Sequence, residues 1–155
     1  MVKLEGNRSQ INIIEKLALS DIPICAHIGL RPQSVNKMGG YKVQGKSSNE
    51  ANALIQEAKK IEDSGADLLL LECVSSQTAK ELASEISIPI IGIGAGSEVD
   101  GQILVLYDIL GISQGQLPKF SKNYMDGNNT IEDAIKQYIQ EVKTLKYPTD
   151  KHSFK

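Results

Sequence analysis

The chain has 155 residues, 41% of them hydrophobic and 23% charged, which suits one soluble globular domain with a real core. Its 17 Lys and Arg against 19 Asp and Glu leave a net charge of -2, with the basic residues scattered, so nucleic acid is not an expected partner. No apolar run approaches a membrane span and residues 1–10 carry no signal-peptide core, so no membrane association and a cytoplasmic address are expected.

Val2-Lys3-Leu4-Glu5 reads as a short strand ended by Gly6, and a strand's period of two puts Lys3 and Glu5 on one face. Residues 10–19 place Ile11, Ile14 and Leu17 at helical spacing, with Ile13 widening the stripe and Ser9 as N-cap. Ile22-Pro23-Ile24-Cys25-Ala26-His27-Ile28 is a strand whose proline stands near its start. Residues 29–46, rich in glycine, amides and basic side chains, make a connection longer than compact domains carry without a use for it, and read as a functional loop.

Ser47 and Glu50 have the spacing of a capping box, and Ala51, Leu54, Ile55, Ala58 and Ile61 continue one apolar face until Gly65 stops the helix. A strand over 67–74 follows, then a helix over 78–86 with Ala79, Leu82, Ala83 and Ile86 inward. The strand over 88–93 opens with Ile88-Pro89-Ile90, an echo of Ile22-Pro23-Ile24, and runs out in Gly92, Gly94 and Gly96. Residues 103–107 give a fifth strand, and 130–145 a last amphipathic helix using Ile131, Ala134, Ile135, Tyr138 and Val142. The tail from Lys146 is expected to be exposed or docked on a neighbour.

Near-continuous apolar strands such as 68–71 need cover on both faces, which a parallel sheet with outer helices provides. Five strands suit either an open doubly wound sheet or part of an eight-stranded barrel, whose complete form runs to about 250 residues. Cys25 and Cys73, each inside an apolar run, read as two reduced core thiols.

Several motifs carry chemistry. Gly40-Tyr41-Lys42-Val43-Gln44-Gly45-Lys46-Ser47 satisfies the phosphate-loop pattern, but such a cradle hangs from the end of a buried strand, and the residues before it are polar and broken. Gly92, Gly94 and Gly96 lack the third glycine of a dinucleotide turn and read as a tight strand-to-helix turn with backbone close to a ligand. Glu72 directly continues four leucines, so it is expected to be shielded and to need a partner, a metal or a proton; a shielded carboxylate is a natural proton abstractor. Lys3 and Glu5 fit a surface ion pair as well as a site, and His27 a structural histidine as well as a substrate contact. All four lie towards one end of their strands.

The runs His27-Ile28-Gly29-Leu30, Pro32-Gln33-Ser34-Val35 and Gly39-Gly40-Tyr41-Lys42-Val43-Gln44-Gly45 resemble the ketopantoate hydroxymethyltransferases. The likeness continues through Leu71-Glu72-Cys73-Val74, Ile91-Gly92-Ile93-Gly94-Ala95-Gly96, residues 100–105, Pro118-Lys119-Phe120, Tyr147-Pro148 and His152-Ser153, and so covers essentially the whole chain. The resemblance implies an α/β fold, the carboxy-terminal portion of a (βα)8 TIM barrel of the phosphoenolpyruvate/pyruvate type, present here as a single domain with a terminal helix and tail. It implies transfer of a one-carbon unit from 5,10-methylenetetrahydrofolate to 3-methyl-2-oxobutanoate, giving 2-dehydropantoate, with Mg2+ as cofactor. In the family's valine-lysine-x-glutamate motif the lysine, here Lys3, binds the keto acid, and the glutamate, here Glu5, belongs to the metal site. The glutamate of the leucine-glutamate-cysteine motif, here Glu72, is the proton acceptor, and His27 falls in a motif lining the same pocket.

The resemblance begins at the family's fourth barrel strand, and the two aspartates that complete its magnesium site have no counterpart in this sequence. The expectation is therefore a chain inactive alone, completed by a second chain or by homo-oligomerisation. Two other readings remain at this point: a non-catalytic half-barrel that acts as an interaction module, and another 2-oxo acid enzyme of the same superfamily that makes or breaks a carbon-carbon bond.

Overall fold

The computed structural model describes residues 1–5, 10–34, 36 and 40–155. Five strands, β1 (Val2–Glu5), β2 (Ile24–Gly29), β3 (Leu68–Glu72), β4 (Ile90–Ile93) and β5 (Gly101–Gln102), form one sheet in the order β1-β2-β3-β4-β5, every pair parallel. A doubly wound sheet reverses its strand order at a switch point. This one never does, and the steady progression is the winding of a (βα)8 barrel wall.

Helices α1 (Ile11–Ala18), α2 (Ser48–Asp63) and α3 (Ser76–Glu85) connect the first four strands. Ile24, Ala26 and Ile28 of β2, Leu69 and Leu71 of β3 and Ile90 of β4 bury one sheet face against Ile14, Leu54, Ala58, Ile61, Ala79 and Leu82 of those helices. The alternate residues Cys25, Leu70 and Ile93 belong to a second cluster with Leu104, Ile109, Phe120, Tyr124, Ala134 and Tyr147. Helices α4 (Leu106–Ile109) and α5 (Ile131–Lys143) come from this latter part of the chain.

The capping box at the start of α2 is present: the Ser47 side chain accepts from the Glu50 amide, and the Glu50 carboxylate accepts from the Ser47 and Lys46 amides. Those amides are the ones a phosphate in the Gly40–Ser47 stretch would need, and they are already taken. Ser75 caps α3 in the same way, its hydroxyl accepting from Thr78, so that helix starts at Ser76 and not at Thr78.

Four expectations are corrected. Ile13 does not widen the apolar stripe of α1 but is 50% exposed, and the Ser9 cap and Gly6 stop lie outside the described residues. Residues 103–107 are not a strand: β5 comprises Gly101 and Gln102, the Ile103 amide makes one further bond to the Gly92 carbonyl of β4 at 3.0 Å, and Val105 already stands at the N-cap of α4. Ile131 is exposed at the start of α5, whose buried contact is Ala134. The tail docks on its own chain, since the Ser76 amide and hydroxyl both donate to the Phe154 carbonyl. Among the described residues no helix is long and apolar enough to cross a membrane.

Candidate functional site

Register brings the site together. Lys3 pairs with Cys25 and Glu5 with His27 across β1 and β2, while Gly29 at the end of β2 pairs with Glu72 at the end of β3. With side chains alternating, Lys3, Glu5, His27 and Glu72 fall on the sheet face opposite α1, α2 and α3.

Two backbone features set the rim. Cys73 takes φ 53°, which turns the chain out of the strand immediately after Glu72. Gly29 takes φ 89°, and a Cβ there would lie 2.3 Å from the Glu72 carbonyl oxygen, so only glycine lets the ends of β2 and β3 meet. The same carbonyl then accepts from the Leu30 amide at 2.8 Å.

His27 is 1% exposed and stands between two carboxylates: its Nδ1 is 3.5 Å from Glu5 Oε2 and its Nε2 3.2 Å from Glu72 Oε2. Both nitrogens are within ion-pair reach, but neither is aligned for a hydrogen bond. A proton on either nitrogen faces a carboxylate. Glu5 and Glu72 are shielded, at 16% and 14% exposure, as the position of Glu72 behind four leucines suggested. Glu5 Oε2 is also 3.9 Å from Lys3 Nζ, and its Oε1 accepts from the Gln33 amide at 3.1 Å. Lys3 itself is 49% exposed, its cation open to a ligand's carboxylate.

All four residues expected at a site thus form one chain of contacts, Lys3 to Glu5 to His27 to Glu72. Sequence reasoning missed the Gln33 amide, whose contact depends on how the connection after β2 folds back. Cys73, next to Glu72, is no competing nucleophile: burial, with the Glu72 charge adding to it and Lys46 opposing, pushes its thiol up to about 11. Both cysteines are buried and free. Two of the glycines after β4 make room for the chain itself. A Cβ on Gly94 would lie 2.4 Å from the Phe120 ring, and one on Gly96 would lie 2.8 Å from Ser76 Oγ.

The family model described as ketopantoate hydroxymethyltransferase matches residues 1–150. The chain belongs to that family. Curated relatives include 3-methyl-2-oxobutanoate hydroxymethyltransferase 2 of Hahella chejuensis, 50% identical over 154 residues, and the 3-methyl-2-oxobutanoate hydroxymethyltransferases of Shewanella loihica and Buchnera aphidicola, 51% and 50% identical. Each comparison covers 99% of this chain but only 58% or 59% of the relative, so the chain spans about three-fifths of the length of the ketopantoate hydroxymethyltransferases it matches. The family and the winding of the sheet agree on an α/β fold that is part of a (βα)8 barrel of the phosphoenolpyruvate/pyruvate type.

Magnesium asks for near-octahedral oxygen coordination. Among the described residues no group of three or more His, Cys, Asp or Glu is placed to hold a metal ion, and the His27 ring stands between the two site carboxylates. The described residues therefore do not make a magnesium site by themselves.

Proposed function

We propose that this chain carries the keto-acid and proton-abstraction part of a hydroxymethyltransferase site acting on 3-methyl-2-oxobutanoate and 5,10-methylenetetrahydrofolate. The observation that carries the reading is the shielded Glu72, on the same face of the sheet as Lys3 and Glu5 and joined to them through His27. Lys3 binds the substrate carboxylate as a charge-assisted partner and turns carbon 3 towards the base. Glu72 takes the carbon 3 proton, and low exposure keeps its carboxylate from being levelled by water. The enolate carbon bonds to the folate-borne methylene carbon, whose two carbon-nitrogen bonds break; water supplies the hydroxyl of the product, and its other proton, with the one taken up by Glu72, goes to the two nitrogens of the departing tetrahydrofolate. His27 holds Glu5 and Glu72 in mutual register.

In this reading Glu5 is one carboxylate of a magnesium site whose remaining oxygen ligands the described residues do not supply. A second polypeptide with the rest of the barrel, or a homo-oligomer, completes it. The decisive experiment follows loss of the carbon 3 proton of 3-methyl-2-oxobutanoate by NMR in heavy water. The chain alone is expected to be inert. Mixed with a polypeptide covering the remaining length of a relative, it is expected to exchange, and Glu72→Gln to slow that exchange by at least about a hundredfold. Fast exchange by the chain alone would refute the need for a partner, and exchange indifferent to Glu72→Gln would refute the assignment of the base.

A second reading, a non-catalytic module that only associates, is favoured by the open edge of β1, which pairs with β2 alone among the described strands. It predicts self-association unaffected by keto acid and by Glu72→Gln.

A further inference from the structure

The carboxy-terminal tail forms part of the wall beside Glu72. A cavity of about 670 Å³ borders that residue, with Leu30, Val43, Phe120 and Phe154 among its lining. Several contacts fix Phe154 there. The Ser76 amide and hydroxyl both donate to its carbonyl, at 2.8 and 3.0 Å, and its ring meets Phe120 edge to face with centroids 6.3 Å apart. Lys119 Nζ stands 5.3 Å from the Phe154 centroid and donates to the Ser153 carbonyl. None of these contacts involves Lys3, Glu5 or His27.

Ahead of Phe154 the tail makes a tight turn, Asp150–His152, and a histidine closes it. The Thr149 amide donates to His152 Nδ1 at 3.2 Å, and the Thr149 hydroxyl lies 2.9 Å from the same nitrogen. The His152 amide and the Ser153 hydroxyl return to the Thr149 carbonyl, each at 2.9 Å. The His152 ring also packs on Tyr147, with centroids 5.0 Å apart, and the Tyr147 hydroxyl donates to the Phe120 carbonyl at 2.6 Å. A backbone amide can only donate, so Nδ1 offers a lone pair and the neutral ring carries its proton on Nε2. A second proton on the ring would set one N–H against another and break the turn's closure.

We propose that the tail is a pH-operated strap: the uncharged His152 ring seats residues 149–154 against the cavity beside Glu72, and protonation of that ring releases them. The surroundings favour the uncharged form. Burial first and Lys122 next hold His152 below the ordinary 6.5, with Glu141 opposing and Lys151 and Lys119 adding. Glu141, the one carboxylate of that set, already accepts from Lys122 and from the Tyr124 hydroxyl. Tyr147 stays neutral, since burial keeps its hydroxyl protonated. The seated ring therefore binds its second proton less well than a free one. Seating is at full strength above 6.5 and weakens as pH falls from there towards the lower seated value, by up to about tenfold per pH unit. Release takes the Phe154 ring out of the wall and opens the cavity to solvent.

The chain contains only two phenylalanines, Phe120 and Phe154, and only two histidines, His27 and His152, so carbon-13 labelling of both residue types, with nitrogen-15 in the backbone, follows every part of the strap. Between about pH 8 and about pH 5 the Phe154 ring and the Ser76 amide are expected to shift together with His152 while far-ultraviolet circular dichroism holds. Their shared midpoint should lie below 6.5. His152→Asn places an amide oxygen where Nδ1 accepts and cannot titrate, so both signals should keep their high-pH positions throughout. His152→Ala, with no acceptor, should show the released positions even at high pH. Phe154 and Ser76 signals that ignore the His152 titration, or that move equally in His152→Asn, overturn the proposal. So does loss of dichroism at the same midpoint, which would make the event global unfolding and not a moving strap.

Discussion

Cys73 shows how a single side chain beside a reactive carboxylate is kept out of the chemistry. Its thiol is pushed from the ordinary 9.0 up to about 11, first by burial and then by the Glu72 charge. The folded chain therefore keeps this proton to a higher pH than the unfolded chain does. The stability it contributes is whole below pH 9 and is lost as pH rises from 9.0 through about 11. Urea midpoints should fall across that window, less steeply in Cys73→Ala, and iodoacetamide should leave Cys73 unlabelled in the folded chain at neutral pH. Equal slopes in the two proteins would contradict this account. At this scale the common face of Lys3, Glu5, His27 and Glu72 was legible in the sequence because a strand's period of two puts Lys3 and Glu5 on one face, while His27 and Glu72 stand in or at the end of apolar runs. Phe154 was not, because its place depends on a hydrogen bond to Ser76, 78 residues away, for which no local pattern exists.

Among the elements, the repeated Ile-Pro-Ile openings of β2 and β4 prove to share one device. The Ile24 amide donates to Asp67 Oδ2 and the Ile90 amide to Asp100 Oδ2, each at 2.8 Å, so a carboxylate just before the neighbouring strand holds the first amide after the proline. Because a charged acceptor on a half-buried amide is involved, Asp67→Ala should cost about 1.5 to 3 kcal/mol in urea denaturation, and Asp67→Asn less. A neutral Asp67→Ala would show that the ladder alone sets the strand's start. The echo was visible in the sequence; its partners were not, since they lie across the sheet. Helix α2 was legible from its capping box and stop. Residues 103–107 misled because an apolar run whose bonding to the neighbouring strand stops at the Ile103 amide carries the same letters as a real strand, and only tertiary pairing separates the two.

At the level of the whole molecule, a parallel sheet whose first and last strands each pair on one side only among the described strands is a surface waiting for backbone partners. Ile103, Val105, Leu106, Tyr107 and Ile112 are all exposed around the β5 edge, an unusual concentration for a monomer in water. In the reading proposed here, sedimentation should find the isolated chain self-associated, and a polypeptide carrying the rest of the barrel should convert it to a defined complex; a strictly monomeric chain indifferent to that addition would count against a partner-completed barrel. The far end of the chain is organised differently. Tyr124, Tyr138 and Tyr147 meet with centroids 5.4 to 6.2 Å apart, and the Tyr124 hydroxyl donates to Glu141. With no tryptophan in the chain and the other two tyrosines, Tyr41 and Tyr107, already exposed, the change in ultraviolet emission on unfolding comes largely from that trio. Optical melting followed by fluorescence therefore watches the carboxy-terminal packing unit, while the strands that carry the carboxylates stay dark to it and must be followed by circular dichroism.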